Sequence, residues 1–260
     1  MKATNNTILA LNDLIKIPIQ ICKGTESKDV KLDRAGPSGG ALKQLLIDSV
    51  TGEQVETTEV QHGLRVGDDF HPIPAEALEQ INEATKLDEM RVNGSLPVEE
   101  IPFDRVTGFY YIQSPTKGGA HQAYRLIYEA LLEEERAITA KWTARSRQKL
   151  AVIYADGSRG CLVMNTLEFA SCVRGTDDAL IAPQQSEVNQ DQVEMARAVI
   201  EQMPDGHDVL STEVDEAIAL KQKLVDDAIA GKTITVKPAS AAKVTASQDL
   251  TALLEASLSA

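Results

Sequence analysis

Nine residues, Lys141-Trp142-Thr143-Ala144-Arg145-Ser146-Arg147-Gln148-Lys149, carry four cations and no carboxylate in a chain of formal net charge −13. The chemistry open to them is anion binding. A guanidinium presents paired N–H donors that match phosphate oxygens, and an ammonium adds a point charge. All four cations, with Thr143, stand at odd positions. One continuous strand would alternate its side chains and put every cation on the same face, about 6.6 Å apart. Such a ladder suits a repeating polyanion. A solvated face of an antiparallel sheet also carries charge, and composition alone leaves both readings open. The absence of any counter-charge, in a chain with 39 Asp and Glu, speaks for a partner.

Other stretches offer less. Gly36-Pro37-Ser38-Gly39-Gly40 has the spacing of a nucleophile elbow, but the charged run before it cannot be the buried strand an elbow needs. It fails as a Walker loop because Lys43 does not directly follow a glycine. Lys117-Gly118-Gly119, before a helical pattern, could bind an anion through backbone amides or be a plain turn. Cys22, Cys161 and Cys172 match no metal spacing, and His62, His71, His121 and His207 are scattered. The expectation is no metal, no cofactor and no catalysis. Trp142 falls on the strand face opposite the cations, as a core or interface residue would.

The acidity is uneven. Residues 48–104 hold fourteen carboxylates against three cations, and residues 177–227 hold thirteen against three. Residues 136–174 reverse this, with seven Lys and Arg against two carboxylates. Asymmetry of this kind describes a binding surface better than the total does. At 43% hydrophobic content, with no apolar run near the roughly 20 residues that cross a bilayer, the chain reads as a cytosolic globular protein.

The elements that must position these groups follow from periodicity. Residues 7–22 alternate as one or two strands, with Pro18 confining one to an edge or bend. Residues 23–40 read as a loop. Residues 41–61 form two short strands around Thr51-Gly52, 75–84 a short helix, and 86–113 strand again. Ala123, Leu126, Ile127, Ala130 and Leu131 make an apolar stripe on a helix over 120–135. Residues 137–169 return to strand, with a hairpin signal at Asp156-Gly157. A helix from a Ser186 cap to Gln202 and another over 212–230, stopped by Gly231, complete the ordered pattern. Residues 232–247 have linker composition. Leu250, Leu253, Leu254 and Leu258 form one face of a short terminal helix that needs something to bind.

The order of these motifs resembles prokaryotic Ku proteins, of bacterial or bacteriophage type. Leu14-Ile15-Lys16-Ile17-Pro18-Ile19-Gln20-Ile21 is similar to the family's opening strand. Phe109-Tyr110-Tyr111, followed by Pro115-x-Lys117-Gly118-Gly119 and Ala123-Tyr124, resembles its turn and helix. Ile138, Lys141, Arg145, Arg147, Leu150 and Ala151 resemble its basic strand. Asn165-Thr166-Leu167, Met195-Ala196 with Val199-Ile200, and Ala228-x-x-Gly231-Lys232 continue in family order.

The resemblance implies a mixed α/β (α+β) fold: an antiparallel β-barrel with an arching bridge segment and a helical C-terminal region. It also implies a ring-shaped homodimer around double-stranded DNA ends, bound without reading sequence. The partner it implies is an ATP-dependent DNA ligase of the ligase D type, in non-homologous end joining within a bacterial cytoplasm or nucleoid. Residues 1–231 would be the core, 232–247 a linker, and 248–260 a partner-docking helix presenting Leu250, Leu253, Leu254 and Leu258. Phosphate contacts are expected from Lys141, Arg145, Arg147 and Lys149, then from Lys31, Arg34, Lys43 and Lys117. Many relatives carry a Cys-x-x-Cys pair in the bridge. The corresponding stretch here, Asp48-Ser49-Val50-Thr51-Gly52, has no cysteine, so metal binding does not carry over. Two other readings stand beside this one: a nucleic-acid binder without end preference, and an acidic scaffold whose basic strand docks an acidic protein.

Overall fold

The computed structural model describes residues 3, 5–115, 120–144, 147–176 and 189–232. They fall into two compact units. One comprises Met1–Ser27 and Arg34–Arg174, the other Lys28–Asp33 and Gly175–Ala260.

The first unit is built on a closed barrel. Its strands are β1 (Asn5–Ala10), β2 (Lys16–Lys23), β7 (Met90–Pro97), β8 (Val106–Gln113), β9 (Arg136–Ala144), β10 (Arg147–Asp156) and β11 (Cys161–Leu167). Around the barrel they run β1-β2-β8-β11-β10-β9-β7. Every neighbouring pair is antiparallel except β1 and β7, which close the barrel in parallel through Leu9↔Met90 and Ala10↔Arg91. Pro18 pairs with Ile8 on β1. It precedes Gln20, where β2 begins to pair with β8, so its missing N–H interrupts no ladder on that side.

Alternation decides which residues fill the barrel. Leu9, Ile17, Ile19, Ile21, Met90, Ile112, Ile138, Ala140, Trp142, Ala151, Ile153, Leu162 and Met164 come from all seven strands and form one buried cluster. α2 (Ala120–Glu133) adds Tyr128 and Leu131 to it. Tyr124 ties this helix to the barrel rim, donating its hydroxyl hydrogen to the Ile112 carbonyl (2.9 Å) and accepting from the Leu162 N–H (2.8 Å). Outside, Ile101, Ala137, Val152 and Leu167 form a second cluster that covers part of β9, β10 and β11.

Between β2 and β7 the chain leaves the barrel as a bridge. It carries the hairpins β3 (Leu46–Ile47)–β4 (Gln54–Val55) and β5 (His62–Val66)–β6 (Asp69–Ile73), then helix α1 (Ala75–Thr85). The first hairpin and the helix agree with the sequence patterns. The second is a further element: Val66 pairs with Asp69, and Gly67 takes φ 62° in the two-residue turn. A left-handed residue there suits glycine and the twist of a hairpin.

Among its described residues the second unit has the two expected helices and a further short one. α3 spans Gln190–Glu201 and is capped by Asn189, whose side chain accepts from the Asp191 N–H, so it begins after the predicted Ser186 cap. The helix expected over 212–230 is present but starts later, at Glu216, and a further short helix precedes it. α4 (Gly206–Thr212) ends before Asp215, whose carboxylate accepts from Ala217 and Ile218 N–H and opens α5 (Glu216–Ile229). Asp215 satisfies amides a continuing helix would have bonded to carbonyls, which sets the start of α5 there. Gly231, at φ 66°, stops α5 as its sequence position predicts.

Candidate nucleic-acid interface

The single basic strand predicted over 141–149 is two strands. β9 ends at Ala144 and β10 begins at Arg147, paired antiparallel through Ala144↔Arg147, Thr143↔Gln148, Trp142↔Lys149 and Lys141↔Leu150. Each odd position on β9 therefore faces an even one on β10, and directly opposed residues share a face. Lys141 lies with Thr143, Gln148 and Leu150 on the outer face. Arg147 and Lys149 lie with Ala144 and Trp142, on the face that becomes the barrel interior further along the hairpin. The common-face ladder is thus corrected: the chain reversal inverts the parity on which it depended. Arg145 and Lys117 lie outside the described residues, as do Leu250, Leu253, Leu254 and Leu258.

Lys141 and Arg147 are exposed and Lys149 is half-buried, and none of the three makes an ion pair with a described residue. Trp142 is core, 6% exposed, and its indole N–H is buried without a hydrogen-bond partner. Of the second-tier cations, Arg34 and Lys43 line one shallow hollow with Leu42 and Gln44, brought together by the bridge pair Ala35↔Ala41. Lys31 belongs to the second unit.

The barrel adds two cations that sequence reasoning missed. On the outer face Lys141 is directly opposite Arg91 of β7, and Arg91 is in register with Ala10 of β1, itself in register with Lys16 of β2. Lys16, Arg91 and Lys141 therefore form one row across four strands, about 14 Å long at an interstrand spacing of about 4.8 Å. Directly opposed like charges such as Arg91 and Lys141 destabilise a sheet. Glu89 answers part of that charge. Its two carboxylate oxygens accept from Lys16 Nζ (2.7 Å) and Arg91 Nε (3.1 Å). The hydrogen bond from Lys16 holds the Glu89 carboxyl below the usual range, with the charge of both cations adding to it and burial opposing it. A signal for Lys16 was present, a lone cation in an alternating strand. No sequence pattern joins it to Arg91 and Lys141, because strand closure alone sets them in one row.

The same hairpin anchors the bridge. The Thr143 hydroxyl accepts from the Leu87 N–H (2.8 Å) and reaches the Thr85 carbonyl (3.3 Å), to which Gln148 Nε2 also donates (3.0 Å). Thr85 ends α1, so its carbonyl lacks a partner within the helix, and these side chains provide one.

Fold and face together define a class. The barrel interior is filled with apolar side chains, and the cations stand on its outer wall and at the hairpin tip. The family model described as the Ku70/Ku80 beta-barrel domain matches residues 11–195. This chain belongs to the Ku family. It is 27% identical over 228 residues to a protein of Paraburkholderia phymatum named non-homologous end joining protein Ku, covering 85% of this chain and 70% of the relative. A Bacillus subtilis protein of the same name is 25% identical over 247 residues, covering 94% and 78%. Protein Ku of Mycobacterium phage Omega is 25% identical over 173 residues, covering 63% and 57%.

Proposed function

We propose that this chain binds the ends of double-stranded DNA as a ring-shaped homodimer, without catalysis of its own, and serves non-homologous end joining. The observation that carries the reading is the extent of the family match. It runs through barrel, bridge and basic hairpin together, and relatives that share these parts are named for end joining. The cations Lys141, Arg147 and Lys149, without an ion pair among the described residues, suit phosphate contacts, which give affinity without sequence information. Arg34 and Lys43 on the bridge and Lys31 in the second unit are further candidates, with Arg145 and Lys117.

The homodimer has support of its own. No residue from 23 to 89 is buried, yet this span holds two hairpins and a helix. Isolated two-stranded hairpins are marginal in water. Leu46, Ile47, Leu64, Val66 and Ile81 are each at least 49% exposed there, an apolar surface that a second copy would cover. The segment 248–260 is proposed to dock an ATP-dependent ligase of the ligase D type through Leu250, Leu253, Leu254 and Leu258, with 232–247 as a linker. Among the described residues no helix is long and apolar enough to cross a membrane, and a bacterial cytoplasm or nucleoid, with the gene carried by host or phage, fits this reading.

A gel-shift comparison of linear duplex, linear duplex with blocked ends and covalently closed circular duplex tests the function. Binding to the open linear form alone is expected. Equal binding to linear and closed circles would favour a general nucleic-acid binder, and no binding at moderate salt would favour an acidic scaffold. Sedimentation of the free protein tests the dimer.

A further inference from the structure

We infer that Lys16, Arg91 and Lys141 form one phosphate-binding row on the outer wall of the barrel, and that the Glu89 carboxylate is an internal anion which DNA phosphate displaces from it. The inference rests on the DNA-binding reading and assigns that reading a particular surface.

Three observations carry it. The first is the pairing of Arg91 with Lys141. A sheet gains nothing from facing two cations, and Lys141 has no carboxylate partner among the described residues of a strongly acidic protein. An external anion resolves the repulsion. The second is Glu89, whose two oxygens sit between Lys16 and Arg91 as two phosphate oxygens would. Ala10, the residue in register between those cations, carries no charge of its own and is buried beneath the row. The third is exposure. The side chains of Lys16 and Arg91 are 45% and 64% exposed, whereas that of Glu89 is 13% exposed. The cations can therefore turn to a new partner while Glu89 stays at the base of the row. A row of about 14 Å also exceeds the roughly 6 Å width of a minor groove, so its ends reach phosphates on both sides.

The row differs from the hairpin tip. Arg147 and Lys149 lie on the other face of the hairpin, so the contacts of Lys141 with DNA are shared with β2 and β7 instead of with its sequence neighbours.

Salt titration of linear-duplex binding by the full-length chain provides the test. Log affinity falls against log salt with a slope of about −0.9 per neutralised phosphate. Arg91→Gln and Lys141→Gln should each make the slope shallower by about 0.9. Glu89→Gln should tighten binding about fivefold at moderate salt, the effect of removing one unit charge a few ångströms from the phosphate. Glu89→Ala should act in the same direction, and thermal melting confirms that each variant is folded. Unchanged slopes in folded R91Q and K141Q, with the wild type binding normally, overturn the row. Tighter binding in neither Glu89 variant overturns the displaced anion. Failure of the wild type to bind linear duplex instead overturns the function itself, so the two failures are distinguishable.

Discussion

The barrel and the bridge elements β3 to α1 belong to one compact unit and are built on opposite terms. Every buried residue among those described lies within 9–22 or 90–167, the spans that make the barrel, its covering helix and the outer cluster. The bridge has ordered hairpins, a helix and no buried residue. Closure explains the barrel: seven strands without an edge enclose a core that alternation alone fills. The bridge has only two-stranded sheets, with one side each to offer and nothing of their own to cover it. One region is completed by its own chain. The other leaves its apolar side chains exposed.

The contrast can be broken at the core first. Ile153 is fully buried, and Ile153→Ala should cost about 2–5 kcal/mol in denaturant-induced unfolding, lowering the cooperative transition of the barrel. Next, Leu64→Ser with Val66→Ser, on one face of β5, should weaken the proposed dimer about 10- to 100-fold by sedimentation, with a smaller change in the barrel transition. Equal loss of barrel stability from both sets would show that the bridge is part of the monomer core.

A smaller effect separates the far end of the barrel. Asp156, at the β10–β11 turn, is held at a pKa of about 2 from an ordinary value of 3.8, first by the Ser158 hydroxyl (2.6 Å) and then by Arg159. A depressed carboxyl contributes stability above its unfolded pKa and loses it as pH falls. Asp156 should therefore add on the order of 1–2 kcal/mol above about pH 4. That contribution should fade toward pH 2. In Asp156→Asn the difference between pH 5 and pH 2 should shrink accordingly, read by melting at each pH.

The smallest change sharpens the link between the two regions. Gln148→Ala removes one donor from the Thr85 carbonyl and should cost about 0.5–1.5 kcal/mol locally. Faster hydrogen exchange in α1, with barrel amides unchanged, is the expected signature. Loss of protection throughout the barrel would mean that this contact supports the core and not only the bridge.

Much of this was readable from residues. The strands around Thr51-Gly52, the helix over 120–135, the Asp156-Gly157 turn and the stop at Gly231 all follow from local rules of periodicity and turn geometry. The β5–β6 hairpin was also signalled, by Gly67-Asp68 between short strands, but Pro72 and a mixed polar pattern obscured its alternation. The start of α5 after Asp215 depends on a choice between capping and continuation, which the run of helix formers on either side concealed.

The sequence by itself determined that Lys141, Arg145, Arg147 and Lys149 stand together without a carboxylate, because composition needs no fold. It could not determine which of them share a surface. That depends on where the chain reverses and on which strands close the barrel, and both are long-range choices. One reversal between Ala144 and Arg147 sends Lys141 to the outer wall and turns Arg147 and Lys149 away. Barrel closure then sets Lys141 opposite Arg91, 50 residues earlier, and in one row with Lys16, 125 residues earlier. Side-chain alternation is a local property, but a surface is made by register, and register is settled only when the strands meet.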